Sequence, residues 1–365
     1  MDMELADSIA GWGSEESGAL SELAAFITER MKHHQVIGFS AVMTGNDELR
    51  ESVCLGKLDA VEEGEVRRDT RFAACSISKL GTAVLVLALA EQGLFQLDRP
   101  INDYLAAWKL PMHSSLGGRE ASLMDLLSHQ AGIVDREGSF DIHRQDERLP
   151  PMAEILAGGT RYHPAPVQVT EAPGTAFRYS DAGYCVIQQA IEDRCGKTFE
   201  TVMDETVFGP LGMTESLYCS PDRIMPADRF ASGHERSGAR TRERFPVYPF
   251  PAAAGLWSTP ADLAKLSIEI MRAYRGESKL GLSRLSAKQM LTPQGNSNFA
   301  GLGLFLGQAK DDIQAASYGW GVGFQSMLVF HPAKGEGIVL MHNTETGRHQ
   351  LEGLIGDVLM KLGWR

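Results

Sequence analysis

Strand-like segments crowd the two ends of this 365-residue chain and are scarce between them. Residues 38–43 read as extended, Gly45-Asn46-Asp47 as a turn, and a second extended run reaches Leu55, which together form a hairpin signature. Near the other end, residues 301–306, 324–330 and 337–341 read as strands. From about residue 100 to 289 the periodicity is helical instead, over 123–129, 183–194 and 260–274. Long irregular connections at 139–168 and 223–251 separate these helices, and loops of that length usually line or cover a site. Helical patterns at 16–33 and 350–362 flank the strands. Such a chain buries its strands by joining both ends in one sheet and inserting the helical middle as a second lobe. The expected architecture is a two-lobed α/β (α+β) fold with an antiparallel sheet flanked by helices. Residues 1–75 and 290–365 would form the sheet lobe, 76–289 a mostly helical lobe, and the site would lie between them.

Composition narrows the function. A formal charge of −12 disfavours nucleic-acid and anionic-membrane partners, since phosphate binding needs a surplus of Lys and Arg. No stretch approaches the roughly 18 uncharged apolar residues of a membrane span. The opening Met1-Asp2-Met3-Glu4-Leu5-Ala6-Asp7 has neither a basic nor an apolar signal region, so no secretory signal is expected. Five cysteines without a Cys-x-x-Cys pair suit reduced thiols, and the expected location is cytoplasmic.

One motif carries chemistry. Within Thr70-Arg71-Phe72-Ala73-Ala74-Cys75-Ser76-Ile77-Ser78-Lys79-Leu80, Ser76 and Lys79 stand three apart at the head of an apolar helical run. Residues three apart on a helix share a face with Cβ atoms roughly 5–6 Å apart, so an ammonium can reach the hydroxyl. A helix start favours negative charge developing on Ser76. The same field, with burial, is expected to lower the Lys79 pKa and supply a neutral base. By itself Ser-x-x-Lys is common, and an N-capping serine with an exposed lysine is its ordinary meaning. Its uniqueness in this chain and the apolar helix behind it strengthen the catalytic reading.

Further segments resemble the serine beta-lactamase-like and penicillin-binding-protein-like superfamily, which includes class C beta-lactamases, family VIII esterases and D-aminopeptidases. Thr70-Arg71-Phe72 is similar to its Thr-x-Phe lead-in, and Glu91-Gln92-Gly93-Leu94-Phe95-Gln96-Leu97-Asp98 to its helix exit. Leu126-Leu127-Ser128-His129-Gln130-Ala131-Gly132, Pro210-Leu211-Gly212-Met213 and Gly255-Leu256-Trp257-Ser258-Thr259 resemble further family segments, in order along nearly the whole chain. The resemblance implies a beta-lactamase/transpeptidase-like fold and an acyl-enzyme on Ser76 without a cofactor. Tyr179 of Tyr179-Ser180-Asp181 matches the Tyr of the family's Tyr-x-Asn, which implies proton transfer shared with Lys79. The third residue departs from that pattern, because Asp181 replaces the amide and a carboxylate only accepts hydrogen bonds. Asp181 would favour a charged Lys79 if close, attract an amine-bearing substrate, or simply cap the following helix.

The third family motif, Lys-Thr-Gly or His-x-Gly, falls on Ser317-Tyr318-Gly319, with Trp320 next. Ser317 in place of the cation lowers the expectation of a beta-lactamase or carboxypeptidase, and as a neutral hydrogen-bonder it suits an ester. The resemblance assigns the oxyanion hole to the backbone N–H groups of Ser76 and Trp320. The expected substrate is a small ester or amide lacking a free carboxylate. Acyl transfer, D-aminopeptidase or beta-lactamase activity, and a non-enzymatic binding role stay open at this level, as does the oligomeric state.

No Gly-x-Ser-x-Gly elbow and no His-Glu-x-x-His occurs, and the ten histidines show no metal-ligand spacing. Gly319-x-Gly321-x-Gly323 precedes a β-rich run rather than a helix, so it fails as a dinucleotide loop. His129 reads as a structural loop residue, and Cys75 as a buried, inert thiol.

Overall fold

The computed structural model describes residues 14–113, 116, 118–144, 147–219, 226–309 and 312–364. The expectation about a signal at residues 1–7 therefore lies outside the described residues. In chain order the structure begins with α1 (Ser14–His34), β1 (Gly38–Gly45), β2 (Glu48–Gly56) and β3 (Phe72–Ala73). A 3₁₀ turn (Cys75–Ile77) leads into α2 (Ser78–Glu91). The middle holds α3 (Leu123–Leu127), α4 (Met152–Ala157), α5 (Asp181–Cys195), α6 (Phe199–Met203), α7 (Gly209–Leu211) and β4 (Leu217–Tyr218). Then follow α8 (Pro251–Ala254), β5 (Leu256–Ser258), α9 (Pro260–Arg275) and α10 (Arg284–Met290). The chain returns to strands with β6 (Phe305–Ala309), β7 (Asp312–Gly321), β8 (Phe324–His331) and β9 (Glu336–His342), and ends on α11 (Leu354–Lys361).

Both ends build one antiparallel six-stranded sheet, ordered β2-β1-β9-β8-β7-β6. The apolar runs in β8 and β9 are continuous because helices cover both faces. Met327, Val329, Ile338 and Leu340 point to the side packed by Ile27 and Met31 of α1 and Leu354, Ile355 and Val358 of α11. Leu328, Phe330, Val339 and Met341 alternate to the opposite side and join the larger core. The Lys32-His33-His34 end of α1 complements the negative end of its helix dipole.

The helix α9 rests on that second face against β1, β8 and β9. This stretch, placed by the sequence reading in the 76–289 lobe, thus packs on the sheet. Two boundaries also shift. Residues 301–304 form a turn before β6, and the terminal helix divides into a 3₁₀ turn (Gln350–Glu352) and α11.

A second, three-stranded sheet, β3-β5-β4, stands beside the nucleophile segment. Phe72 pairs with Ser258 and Ala73 with Trp257, and the Ala74 N–H donates to the Leu256 carbonyl at 2.8 Å. The helix α2 is buried along residues 78–89 and passes through the main core, as an all-round apolar helix must.

Candidate active site

Ser76 sits in the 3₁₀ turn and Lys79 in the first turn of α2, so the helix proper starts two residues later than the motif suggests. The spacing still brings the pair together, since 3₁₀ geometry eclipses residues three apart. Lys79 Nζ donates to Ser76 Oγ at 3.1 Å and to the Ala253 carbonyl at 2.8 Å. Thr82 Oγ1 donates to the neighbouring Ala252 carbonyl at 2.8 Å, so the end of α8 clamps α2. Cys75, just before Ser76, holds φ at 50°, an unusual conformation for a side-chain-bearing residue and a local strain at the nucleophile. Its thiol is buried, and burial pushes its pKa up to about 12.

Asp181 is the main surprise. Ser180, not Asp181, caps α5, accepting from the Gly183 N–H at 3.0 Å. The Asp181 carboxylate is thereby released, and its Oδ1 lies 2.5 Å from Lys79 Nζ. The capping role considered for Asp181 thus belongs to its neighbour. This pair also overturns the expected neutral lysine. Burial acts to lower the Lys79 pKa, but the Asp181 charge, aided by Tyr179, outweighs it and holds the ammonium above the ordinary lysine value.

Asp135, which sequence reasoning missed, fixes this corner. It accepts from Ser180 Oγ at 2.6 Å and from the N–H groups of Asp181 at 2.6 Å and Ala182 at 3.3 Å. Burial, together with the Asp181 charge, raises its pKa against those hydrogen bonds. His129 supports the same loop: its ring stacks on Tyr179 at 4.3 Å between centroids and its Nδ1 accepts from the Ser180 N–H at 3.1 Å. Burial first, and the Lys79 charge second, keep this imidazole neutral.

Tyr179 places its ring 4.9 Å from Lys79 Nζ and stays 41% exposed to the cleft. From β7, Tyr318 and Trp320 face that cleft, whereas Ser317 is buried and lies outside its lining. The register therefore gives the wall to Tyr318 and Trp320, while Ser317, expected as a substrate contact, is turned to the interior. Gly319 faces the 3₁₀ turn, where an added Cβ would collide with the Ala74 carbonyl and Ser326 Oγ. Pairing between β6 and β7 stops at Ala316, so residues 317–321 have a sheet edge unpaired by β6. Gln350 braces that strand, donating from Nε2 to the Gly319 carbonyl at 2.8 Å.

The cleft has a volume of about 600 Å³ and is lined by Ser76, Tyr179, Asp181, Phe305, Tyr318, Trp320, His349 and Gln350. Its wall is a row of rings. Tyr179 stacks toward Phe305 at 6.5 Å, Phe305 meets Tyr318 at 5.7 Å, and Tyr318 meets His349 at 5.4 Å. Phe305, His349 and Gln350 carry no sequence signal of their own, since only the fold brings them beside residue 76. Among the described residues, no Lys or Arg lines the cleft.

A Ser-Lys pair beside a tyrosine, between an antiparallel sheet and a helical region, defines the penicillin-recognising class of serine hydrolases. The chain belongs to the Beta-lactamase family, whose model matches residues 23–357. It is 24% identical over 255 residues to the D-alanyl-D-alanine-carboxypeptidase/endopeptidase AmpH of Escherichia coli (strain K12), covering 67% of this chain and 61% of that one. Penicillin-binding protein 4 of Amycolatopsis lactamdurans is 25% identical over 243 residues, 65% of this chain and 60% of its own. The matches thus span about three fifths of these relatives' length. The solved D-amino acid amidase of Ochrobactrum anthropi SV3 with D-phenylalanine shares the fold, with a TM-score of 0.74 over 94% of this chain and 99% of that one at 21% identity. No helix among the described residues is long and apolar enough to cross a membrane.

Proposed function

We propose that this protein hydrolyses small esters or amides that carry an apolar or aromatic group and no free carboxylate, through an acyl-enzyme on Ser76. The observation that carries this reading is the Lys79 ammonium 3.1 Å from Ser76 Oγ at the floor of an aromatic-walled cleft. Ser76 attacks the carbonyl carbon, and the N–H groups of Ser76 and Trp320 receive the oxyanion. Lys79 and Tyr179 carry the proton to the leaving group, and water then releases the acid. Tyr179 and Trp320, each 41% exposed, offer ring faces to an apolar substrate. Among the described residues, a substrate carboxylate finds no cationic side chain in the lining, and Lys79 behind it is already engaged by the Asp181 charge. The same pairing weakens the case for an amine-bearing substrate, because the Asp181 charge is spent on Lys79. The proposal includes a cytoplasmic setting, where buried thiols such as Cys54, Cys75 and Cys185 stay reduced.

The test is a matched set of aryl-substituted substrates: a neutral ester, its carboxylate-bearing analogue, and free-amine and N-acetylated amides. The neutral ester is expected to exceed the carboxylate in kcat/KM by about tenfold or more, the scale of a 1.4 kcal/mol penalty, and the two amides to react alike. Preference for the carboxylate would sink the substrate assignment. Added alcohol or amine acceptors that divert most of the product would make the enzyme an acyltransferase.

A further inference from the structure

We propose that Asp181 is the terminal proton acceptor of a Ser76–Lys79–Asp181 relay, in which Lys79 acts as an ammonium that passes a proton on. The inference rests on Ser76 being the nucleophile, as proposed above. A resting ammonium has no lone pair and cannot accept the Ser76 proton unless it first gives one up. The geometry supplies the receiver. Nζ lies between Ser76 Oγ at 3.1 Å and Asp181 Oδ1 at 2.5 Å. That Oδ1 is shielded from solvent, no hydrogen bond occupies it among the described residues, and its ion pair with Nζ leaves it open to take a proton.

The other groups around Lys79 are poor candidates. His129 is not among the residues lining the cleft, and its Nδ1 is occupied by the Ser180 N–H. Tyr184, whose ring is 5.6 Å from Nζ, donates its hydroxyl to the Leu127 carbonyl at 3.0 Å. The Ala253 carbonyl can only accept a hydrogen bond. The Cys75 thiol is buried. Asp135 stands behind Asp181, with its oxygens committed to Ser180 and to the N–H groups of α5. Tyr179 faces the cleft and is left to serve the leaving group.

The step balances. The Oγ–C bond forms while the carbonyl π pair moves to oxygen. An Nζ proton passes to Oδ1, the lone pair so freed turns to Oγ, and the Oγ proton passes to Nζ, leaving Lys79 an ammonium and Asp181 a neutral acid. On collapse the bond to the leaving group breaks, the departing oxygen or nitrogen takes the Tyr179 proton, Tyr179 regains one from Lys79, and Lys79 regains one from Asp181. Asp181 is then a carboxylate again.

The experiment follows the rate of Ser76 modification by a fluorophosphonate, read by intact mass, from pH 6 to 9. With the relay, the wild-type rate is flat within about twofold, because the proton is received by Asp181 and no free lysine has to be generated by raising the pH. Asp181→Asn is at least about tenfold slower at pH 7 and then climbs with pH, since only a neutral lysine can serve there. Asp181→Glu restores a flat profile. A wild-type rate that climbs about tenfold per pH unit, or an Asp181→Asn variant faster than wild type at pH 7, would overturn the relay. The wild-type profile decides the matter even where the Asn variant fails to fold. Absence of any Ser76 adduct on the wild type would instead overturn the nucleophile assignment and the relay with it.

Discussion

Ser76, Lys79 and Asp181 form a line of three polar groups beside a buried helix, and each is placed by a different constraint. The positive φ of Cys75 lifts Ser76 into the cleft. Helical spacing and the α8 carbonyls position Lys79. The Ser180 cap and the Asp135 clamp turn the Asp181 carboxylate inward. A site strained in this way is held by its surroundings rather than by its own contacts. Ser76→Ala is therefore expected to abolish fluorophosphonate labelling and lower kcat/KM by about four or more orders of magnitude. Its urea midpoint should stay within about 1 kcal/mol of wild type in stability. Retained turnover in this variant would refute the nucleophile.

Among the elements, β7 matters most to the site. It runs between β6 and β8 for its first half, then continues past the end of β6 to lie against the nucleophile turn. The alternation of a strand then has consequences. Tyr318 and Trp320 face the cleft, and Ser317 and Gly319 face inward. Gly319 is required by the close approach of the Ala74 carbonyl, not by its backbone angle. Gly319→Ala should cost about 1–3 kcal/mol by overpacking and should slow Ser76 labelling by moving the strand off the turn. An unchanged urea midpoint would show that the strand does not pack so closely. Ser317 occupies the position of the motif's first residue, and the strand's alternation turns it to the interior.

At the scale of the whole molecule, buried neutral histidines tie stability to pH. His342 lies on β9 opposite Phe39 and Gln325, and burial holds its folded pKa at about 3 against 6.5 unprotected. His129 is shifted the same way. A depressed folded pKa contributes stability that is fully present above the unfolded value and lost as pH falls toward the folded one. Unfolding free energy should thus decline between pH 6.5 and 3 by up to about 1.4 kcal/mol per unit through His342, with His129 acting in the same direction. Urea titrations at pH 7.5, 6 and 4.5 check this, and His342→Gln should flatten the slope. An equally steep decline in that variant would remove His342 as its source.

Local patterns were enough to locate the hairpin at residues 38–56, the strands of β8 and β9, the buried helix behind Ser76 and the Ser-Lys pair. Alternation, apolar periodicity and a three-residue spacing are properties of neighbouring residues, so a sequence displays them directly. The ordered motifs added the family, which the family match bears out. Other features depended on contacts between distant segments. The charge state of Lys79 is set by a carboxylate 102 positions away. The aromatic wall is assembled from residues 179, 305, 318 and 349. The move of α9 onto the sheet depends on which apolar face finds which partner. Electrostatic fields and packing act through space, and only the folded chain establishes which groups come within a few ångströms of one another.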